Sequence, residues 1–185
     1  MITPNAEIYK DIISVLYTRE EIEAAVRSLG ETLTRDYQGK TPIMICILKG
    51  AAVFYCDLIR CIDLNVRTDF MVLSSYGSKT SSSGRVRIVQ DLDRDIRGED
   101  VIIVEDIIDS GKTLATLQAT LQVRQPESIR IATLLDKPER RRVPLQVDYA
   151  CLSCPDAFVV GYGLDFAEKY RNLPDIGVLH PSVYE

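Results

Sequence analysis

The segment Val101–Thr113, VIIVEDIIDSGKT, has the spacing most suited to chemistry. A short apolar run ends in adjacent carboxylates, Glu105 and Asp106; Asp109 follows, and Ser110, Gly111, Lys112 and Thr113 lead onward. Small residues and glycine at a helix start let backbone N–H groups approach an anion, and the helix dipole favours negative charge there. Ser110 and Thr113 add hydroxyl donors, so DSGKT reads as a phosphate-binding turn. Three carboxylates beside a phosphate repel it unless something intervenes. A polyol resolves the conflict, because adjacent carboxylates accept hydrogen bonds from the two hydroxyls of a ribose. Mg²⁺, which is usually held by few carboxylates plus substrate oxygens, would screen the remaining charge. The turn is not a Walker A loop, which needs a glycine where this chain has Asp106. The segment points to a ribose 5-phosphate site; the competing reading is a solvated turn with chance acids.

Such a turn needs a strand before it, a helix after it and a sheet to carry both. Thr18 followed by Glu21 reads as a capping box, with Ile22, Val26, Leu29 and Leu33 on one helical face. Pro42–Leu48 is continuously apolar, as a strand buried on both faces would be. A second helix is expected from Gly50 to about Cys61, carrying Val53, Phe54, Leu58 and Ile59. Strands are expected at Val66–Leu73, Val86–Val89, Val101–Val104 and Ser128–Leu135, an edge strand at Asp148–Ser153, and a helix at Thr113–Gln122. In this reading the strand of VIIV stops at Glu105. Strands alternating with helices imply an α/β fold, a parallel twisted sheet flanked by helices on both faces. Ligands of such sheets bind at the carboxyl ends of the strands, where Glu105–Thr113 would lie.

Composition narrows the classes. The chain has 185 residues, 46% hydrophobic and 26% charged, which suits one globular domain and excludes disorder and collagen-like structure. A net charge of −5 argues against general nucleic-acid binding, which rests on Lys and Arg neutralising phosphates. The longest apolar stretch, Pro42–Ile59, is broken by Lys49 and Asp57, so no membrane span is expected. The start, Met-Ile-Thr-Pro-Asn, lacks the basic and apolar regions of a signal peptide, and five irregularly spaced cysteines do not suggest an oxidised framework; a cytoplasmic protein is expected.

VIIVEDIIDSGKT closely resembles the phosphoribosyl-diphosphate (PRPP) motif of type I phosphoribosyltransferases. ILKG at Ile47–Gly50, SSYG at Ser74–Gly77, DLDRDIRGEDV at Asp91–Val101, LLDKP at Leu134–Pro138 and PDAFVVGYGLDFAEKYRNLP at Pro155–Pro174 extend the likeness to the bacterial hypoxanthine or hypoxanthine-guanine phosphoribosyltransferases, over roughly residues 8–185. The resemblance implies one domain over residues 1–185 with the type I fold. It also implies a flexible lid over about 74–85 and a small hood made from the N-terminal segment and about 138–185. The implied reaction joins PRPP to a 6-oxopurine base, hypoxanthine and guanine, in a homo-oligomer that is a dimer or tetramer, with Mg²⁺ as cofactor and neither nucleic acid nor membrane as partner.

By the same resemblance, Glu105 and Asp106 hold the ribose hydroxyls and Asp109–Thr113 grip the 5-phosphate. Asp109 also exchanges a proton at the purine N7 as general acid or base. An oxocarbenium-like centre should form at the anomeric carbon, by analogy with glycoside cleavage, and carboxylates would stabilise it. Lys137 would donate to the purine O6, rejecting adenine, whose 6-amino group is itself a donor; read alone, it only starts a surface turn. Phe158 would stack on the base and the Val159 backbone read its edge, although FVV by itself reads as core. Asp165 is implied both at the purine site and, with Glu105 and Asp106, as a Mg²⁺ ligand. Lys49, Gly50 and Arg171 would bind pyrophosphate, with a cis peptide implied at Leu48–Lys49, and Ser75 and Tyr76 would contact the leaving group from the lid. One departure is Ala157, where some relatives carry a charged residue before the phenylalanine.

Other constellations are set aside. Cys151 and Cys154 form a CxxC pair, but a zinc site needs two further ligands and the chain has a single histidine, His180. A hydrolase triad has no G-x-S-x-G elbow. The run Arg140–Arg142 is expected to be a solvated turn or a subunit contact. Two alternatives stay open: a nucleotide-sensing, RNA-binding regulator of the same fold, and a phosphoribosyltransferase for another base.

Overall fold

The apolar runs form the interior strands of a six-stranded sheet. The structure is a computed structural model that describes residues 7–75 and 86–184, so most of the expected lid, Tyr76 included, lies outside the described residues. In chain order the strands are β1 (Ile12–Tyr17), β2 (Ile43–Leu48), β3 (Arg67–Ser75), β4 (Val86–Gln90), β5 (Asp100–Ile108), β6 (Ser128–Asp136), β7 (Tyr149–Ser153), β8 (Val159–Val160) and β9 (Ile176–Leu179). The helices are α1 (Arg19–Asp36), α2 (Ala52–Arg60) and α3 (Lys112–Gln122).

The large sheet runs β4-β3-β2-β5-β6-β7. Its pairings are parallel except for β4, which lies antiparallel to β3 at one edge. β7, holding Cys151, forms the other edge. Alternate side chains of the central strands point to opposite faces, which is why these strands read as unbroken apolar runs. Met44, Cys46, Ile102, Val104, Ala132 and Leu134 pack on the face with Ile22, Val26 and Leu33 of α1 and Phe54 and Leu58 of α2. Ile43, Ile45, Ile47, Val101, Ile103 and Ile131 pack on the other, against Leu114, Leu117 and Leu121 of α3. Each such buried aliphatic side chain contributes about 1.5–3 kcal/mol over leaving it in water. The capping box at α1 forms as expected, Thr18 N–H donating to Glu21 Oε2 at 2.8 Å and Glu21 N–H to Thr18 Oγ1 at 3.3 Å. α2 turns Phe54 and Leu58 inward and leaves Val53 exposed.

A second, antiparallel sheet, β1-β9-β8, joins the two ends of the described chain. Asp175 ties them further, accepting from the Tyr9 hydroxyl at 2.5 Å and from Arg19 N–H at 2.8 Å. Among the described residues no helix is long and apolar enough to cross a membrane.

Candidate active site

β5 does not stop at Glu105. It continues to Ile108, because β6 goes on pairing with it through Glu105↔Thr133, Ile107↔Leu135 and Ile108↔Asp136. The two acids therefore sit on a rigid strand rather than in a loop. Glu105 Oε2 is shut off from water with no hydrogen-bond partner among the described residues. Burial raises the Glu105 pKa well above the carboxylate range, and the neighbouring Asp106 adds to the shift. Burial likewise raises Asp106 to about 6, although Ile107 N–H donates to its Oδ1 at 2.8 Å and pulls the other way. Two crowded, desolvated carboxylates form a site that gains when hydroxyls or a cation arrive.

After β5 the chain turns through Ser110 and Gly111. Gly111 has φ +77°, the left-handed region that glycine enters without steric cost, and it caps α3. Gly111 supplies no side-chain cap to α3, and Ser110 Oγ accepts from Lys112 N–H only at 3.5 Å, so the first-turn N–H groups remain open to an anion. α3 begins one residue earlier than expected, at Lys112.

The run Arg140–Arg142, expected as a solvated turn or a subunit contact, keeps Arg140 and Arg142 exposed and also packs on this loop. Arg142 N–H donates to the Ser110 carbonyl at 3.0 Å. The Arg141 guanidinium pairs with Asp136 and lies against Gly111, where a Cβ would meet Arg141 Cδ at 2.9 Å. Arg140 reaches Asp156 at 2.7 Å and lies 2.8 Å from Asp109 Oδ1, although its N–H does not aim well at that oxygen. The acidic partners of the run, Asp109, Asp136 and Asp156, come from other segments, which the run by itself does not reveal.

A cleft of about 490 Å³ opens beside these groups, with Asp106, Asp109, Lys137, Phe158, Val159 and Asp165 among its lining. Lys137 is 8% exposed, and its ammonium donates to the Ala157 carbonyl at 2.6 Å. Its own N–H bonds to the Ile108 carbonyl at 3.0 Å, which joins the lysine to the end of β5. Phe158 is 39% exposed on the cleft wall, where FVV alone suggested core. Tyr184 and Arg140 also line the cleft. Both were missed: nothing in the local sequence around either marks a ligand pocket, and each arrives from a separate segment.

A basic group lies along the adjoining rim. The Leu48–Lys49 peptide is cis, and Gly50 follows it. A Cβ on Gly50 would overlap Asp106 Oδ2, so only glycine lets this loop pass over the acid. Gly163, at φ +100°, is equally constrained, since a Cβ there would overlap the Gly50 carbonyl. Arg171 donates to the Gly163 carbonyl at 2.8 Å and pairs with Asp165 at 2.8 Å and Glu168 at 3.4 Å. Lys49 also binds Glu168, at 2.9 Å, and its ammonium holds the Glu168 carboxyl below its ordinary pKa. Lys49 and Arg171, far apart in sequence, thus meet on one carboxylate.

A family profile described as "Phosphoribosyl transferase domain" matches residues 13–167. The chain is 50% identical to the hypoxanthine-guanine phosphoribosyltransferase of Streptococcus thermophilus over 175 residues, covering 95% of this chain and 97% of that one. It is 53% identical to that of Bacillus subtilis over the same span and shares of length. A crystal structure of a hypoxanthine phosphoribosyltransferase from Staphylococcus aureus superposes with a TM-score of 0.95 at 47% identity, covering 99% of this chain and 100% of that one. The chain belongs to the hypoxanthine-guanine phosphoribosyltransferase family. Its sheet has the type I phosphoribosyltransferase fold expected from the sequence, mostly parallel with flanking helices. In this phosphoribosyltransferase the acid pair and the start of α3 lie at the carboxyl end of β5, Lys137, Phe158 and Asp165 line the cleft beside them, and Lys49, Gly50 and Arg171 form the rim. Ser75 closes β3, and nothing described here bears on its side chain.

Proposed function

We propose that this chain transfers the 5-phosphoribosyl group from PRPP to hypoxanthine and guanine, giving IMP or GMP and pyrophosphate in purine salvage. The observation that carries this reading is the cleft that Asp106, Asp109, Lys137 and Phe158 line together, beside the N-terminus of α3.

Ser110–Thr113 and the first-turn N–H groups of α3 hold the 5-phosphate, with Asp109 at the head of the loop. Glu105 and Asp106 accept the ribose 2- and 3-hydroxyls. The purine lies on Phe158, its O6 taking a hydrogen bond from Lys137 and its edge read by Val159 and Asp165. Pyrophosphate leaves with the electron pair of the C1–O bond as N9 bonds to C1, and Asp109 takes the proton lost from the ring at N7. Lys49, Gly50 and Arg171 receive the departing pyrophosphate, so Glu168 must release Lys49 and Arg171 to it. Ser75 and Tyr76 would approach the leaving group from the lid over about 74–85, excluding water. The second sheet and the segment after 138 act as a hood in one catalytic domain.

Mg²⁺ fits the donor set. Among the described residues no three ligating side chains gather closely enough to chelate a metal alone. An ion held by Glu105, Asp106 or Asp165 would complete its shell with substrate oxygens, the usual mode for this cation. It would neutralise the pyrophosphate charge and relieve the unpartnered Glu105 oxygen. A homo-oligomer in the cytoplasm, with neither nucleic acid nor membrane as partner, completes the reading.

The test is turnover of PRPP and Mg²⁺ with each of hypoxanthine, guanine, xanthine and adenine. The expected result is nucleotide from hypoxanthine and guanine and none from adenine. Failure with every oxopurine would overturn the reading.

A further inference from the structure

Phe158 presents an exposed ring to the cleft, and its surroundings say which face remains for a ligand. Tyr184 covers one face, with ring centroids 4.8 Å apart and planes 22° apart. Phe166 meets the same ring edge-on, at 5.6 Å and 88°. Both are arrangements that aromatic quadrupoles favour. A planar heterocycle entering the cleft therefore has one face of Phe158 left to it.

Tyr184 is held in place by its own backbone. β9 ends at Leu179, whose N–H donates to the Phe158 carbonyl at 2.9 Å. His180 N–H then donates to the Asp11 carbonyl at 2.9 Å, and a 3₁₀ turn, Pro181–Val183, closes with Tyr184 N–H on the Pro181 carbonyl at 3.0 Å. The segment carrying Tyr184 is thus hydrogen-bonded to the residue that its ring covers.

We propose that Tyr184 is a positioning residue for the base: stacked behind Phe158, it fixes the plane of that ring so that the free face meets a flat 6-oxopurine. This rests on the phosphoribosyltransferase reading above. A stack of this kind acts on the planar substrate and leaves PRPP, which has no aromatic surface, unaffected.

The experiment compares wild type with Tyr184→Ala, Tyr184→Leu and Tyr184→Phe, measuring KM for hypoxanthine and for PRPP separately alongside thermal unfolding. An aromatic pair of this type corresponds to about a three- to tenfold change in binding. Tyr184→Ala and Tyr184→Leu should raise KM for hypoxanthine by that factor and leave KM for PRPP unchanged. Tyr184→Phe should behave as wild type, since the ring and not the hydroxyl stacks. The proposal is overturned by an unchanged hypoxanthine KM in the alanine variant, or by a lowered one, which would mean that the tyrosine ring had occupied the place of the base. It is also overturned if leucine restores wild-type values, if phenylalanine does not, or if both KM values rise together with a fall in Tm. A wild-type chain that turns over no oxopurine overturns the underlying reading as well; an active wild type with an indifferent alanine variant overturns only the role of Tyr184.

Discussion

Replacing Asp106 by Asn should stabilise the ligand-free protein near neutral pH, even though it removes a carboxylate proposed to bind ribose. Burial raises this carboxyl from its ordinary value of 3.8 to about 6. At about 1.4 kcal/mol per pKa unit, a rise of roughly two units costs the ionised folded protein ~3 kcal/mol at pH 7. The side chain keeps some access to water, so screening reduces that figure to about half in the lower case, ~1.5 kcal/mol. The sign follows from proton binding. The folded state holds the proton more tightly than the unfolded chain, so this contribution is fully present below the unfolded pKa near 3.8. It is lost as pH rises through the folded value of about 6.

Asparagine carries no charge at any of these pH values and can still accept from Ile107 N–H, so its stability curve lacks that fall. The expected gain at pH 7.5 is about 1.5–3 kcal/mol, or a Tm higher by about 3–12 °C for a chain of this size. Removing the charge also relieves Glu105, whose pKa is raised by burial first and by Asp106 second, so the coupling acts in the same direction. Thermal unfolding at pH 4, 5, 6 and 7.5, without PRPP or Mg²⁺, reads the effect free of ligand stabilisation. A variant no more stable than wild type at pH 7.5, or a gain of the same size at pH 4, would refute the assignment of a desolvated Asp106.

Asp109→Asn should lower kcat by about 10²–10⁴, the usual scale for a lost general acid or base, while changing PRPP affinity little; equal activity would remove Asp109 as the proton-transfer group. Gly50→Ala places a Cβ on Asp106 Oδ2 and should raise KM for PRPP by at least about tenfold, since 1.4 kcal/mol of misfit suffices for that factor, with an unchanged circular dichroism spectrum. Lys137→Ala should raise KM for hypoxanthine and spare PRPP binding; unchanged discrimination against adenine would show that Lys137 does not read O6.

The parts of the molecule legible in the sequence are those whose cause is local. The Thr18–Glu21 box, the apolar runs of β2 and β5 and the Glu105–Thr113 turn each lie within a few consecutive residues. The second sheet was not legible strand by strand. β8 is two residues long, and the segment after it turns through Gly161, Tyr162 and Gly163 at positive φ, a conformation no hydrophobic period announces. The end of β5 was misplaced for a related reason. Two carboxylates inside a strand look like its terminus until β6 is seen pairing with Glu105, Ile107 and Ile108.

The same limit explains why the charges were harder to read than the core. A continuous apolar strand needs apolar neighbours whatever they are, so its burial follows from its own composition. A charged side chain is defined by one particular partner. Arg140 joins Asp109 and Asp156, while Glu168 joins Lys49 and Arg171. Asp109, Lys49 and Arg171 are residues that the resemblance assigns to substrate; Arg140 and Glu168 are not. Asp109 thus lies beside Arg140, and Lys49 and Arg171 share Glu168. Under the proposed roles Lys49 and Arg171 would trade a carboxylate for pyrophosphate, while Glu168, whose side chain is 66% exposed, would return to water, so no charge is opened in a dry site on the basic side. Glu105 stands apart: among the described residues its Oε2 has no hydrogen-bond partner, so a hydroxyl or a cation entering there would supply the first.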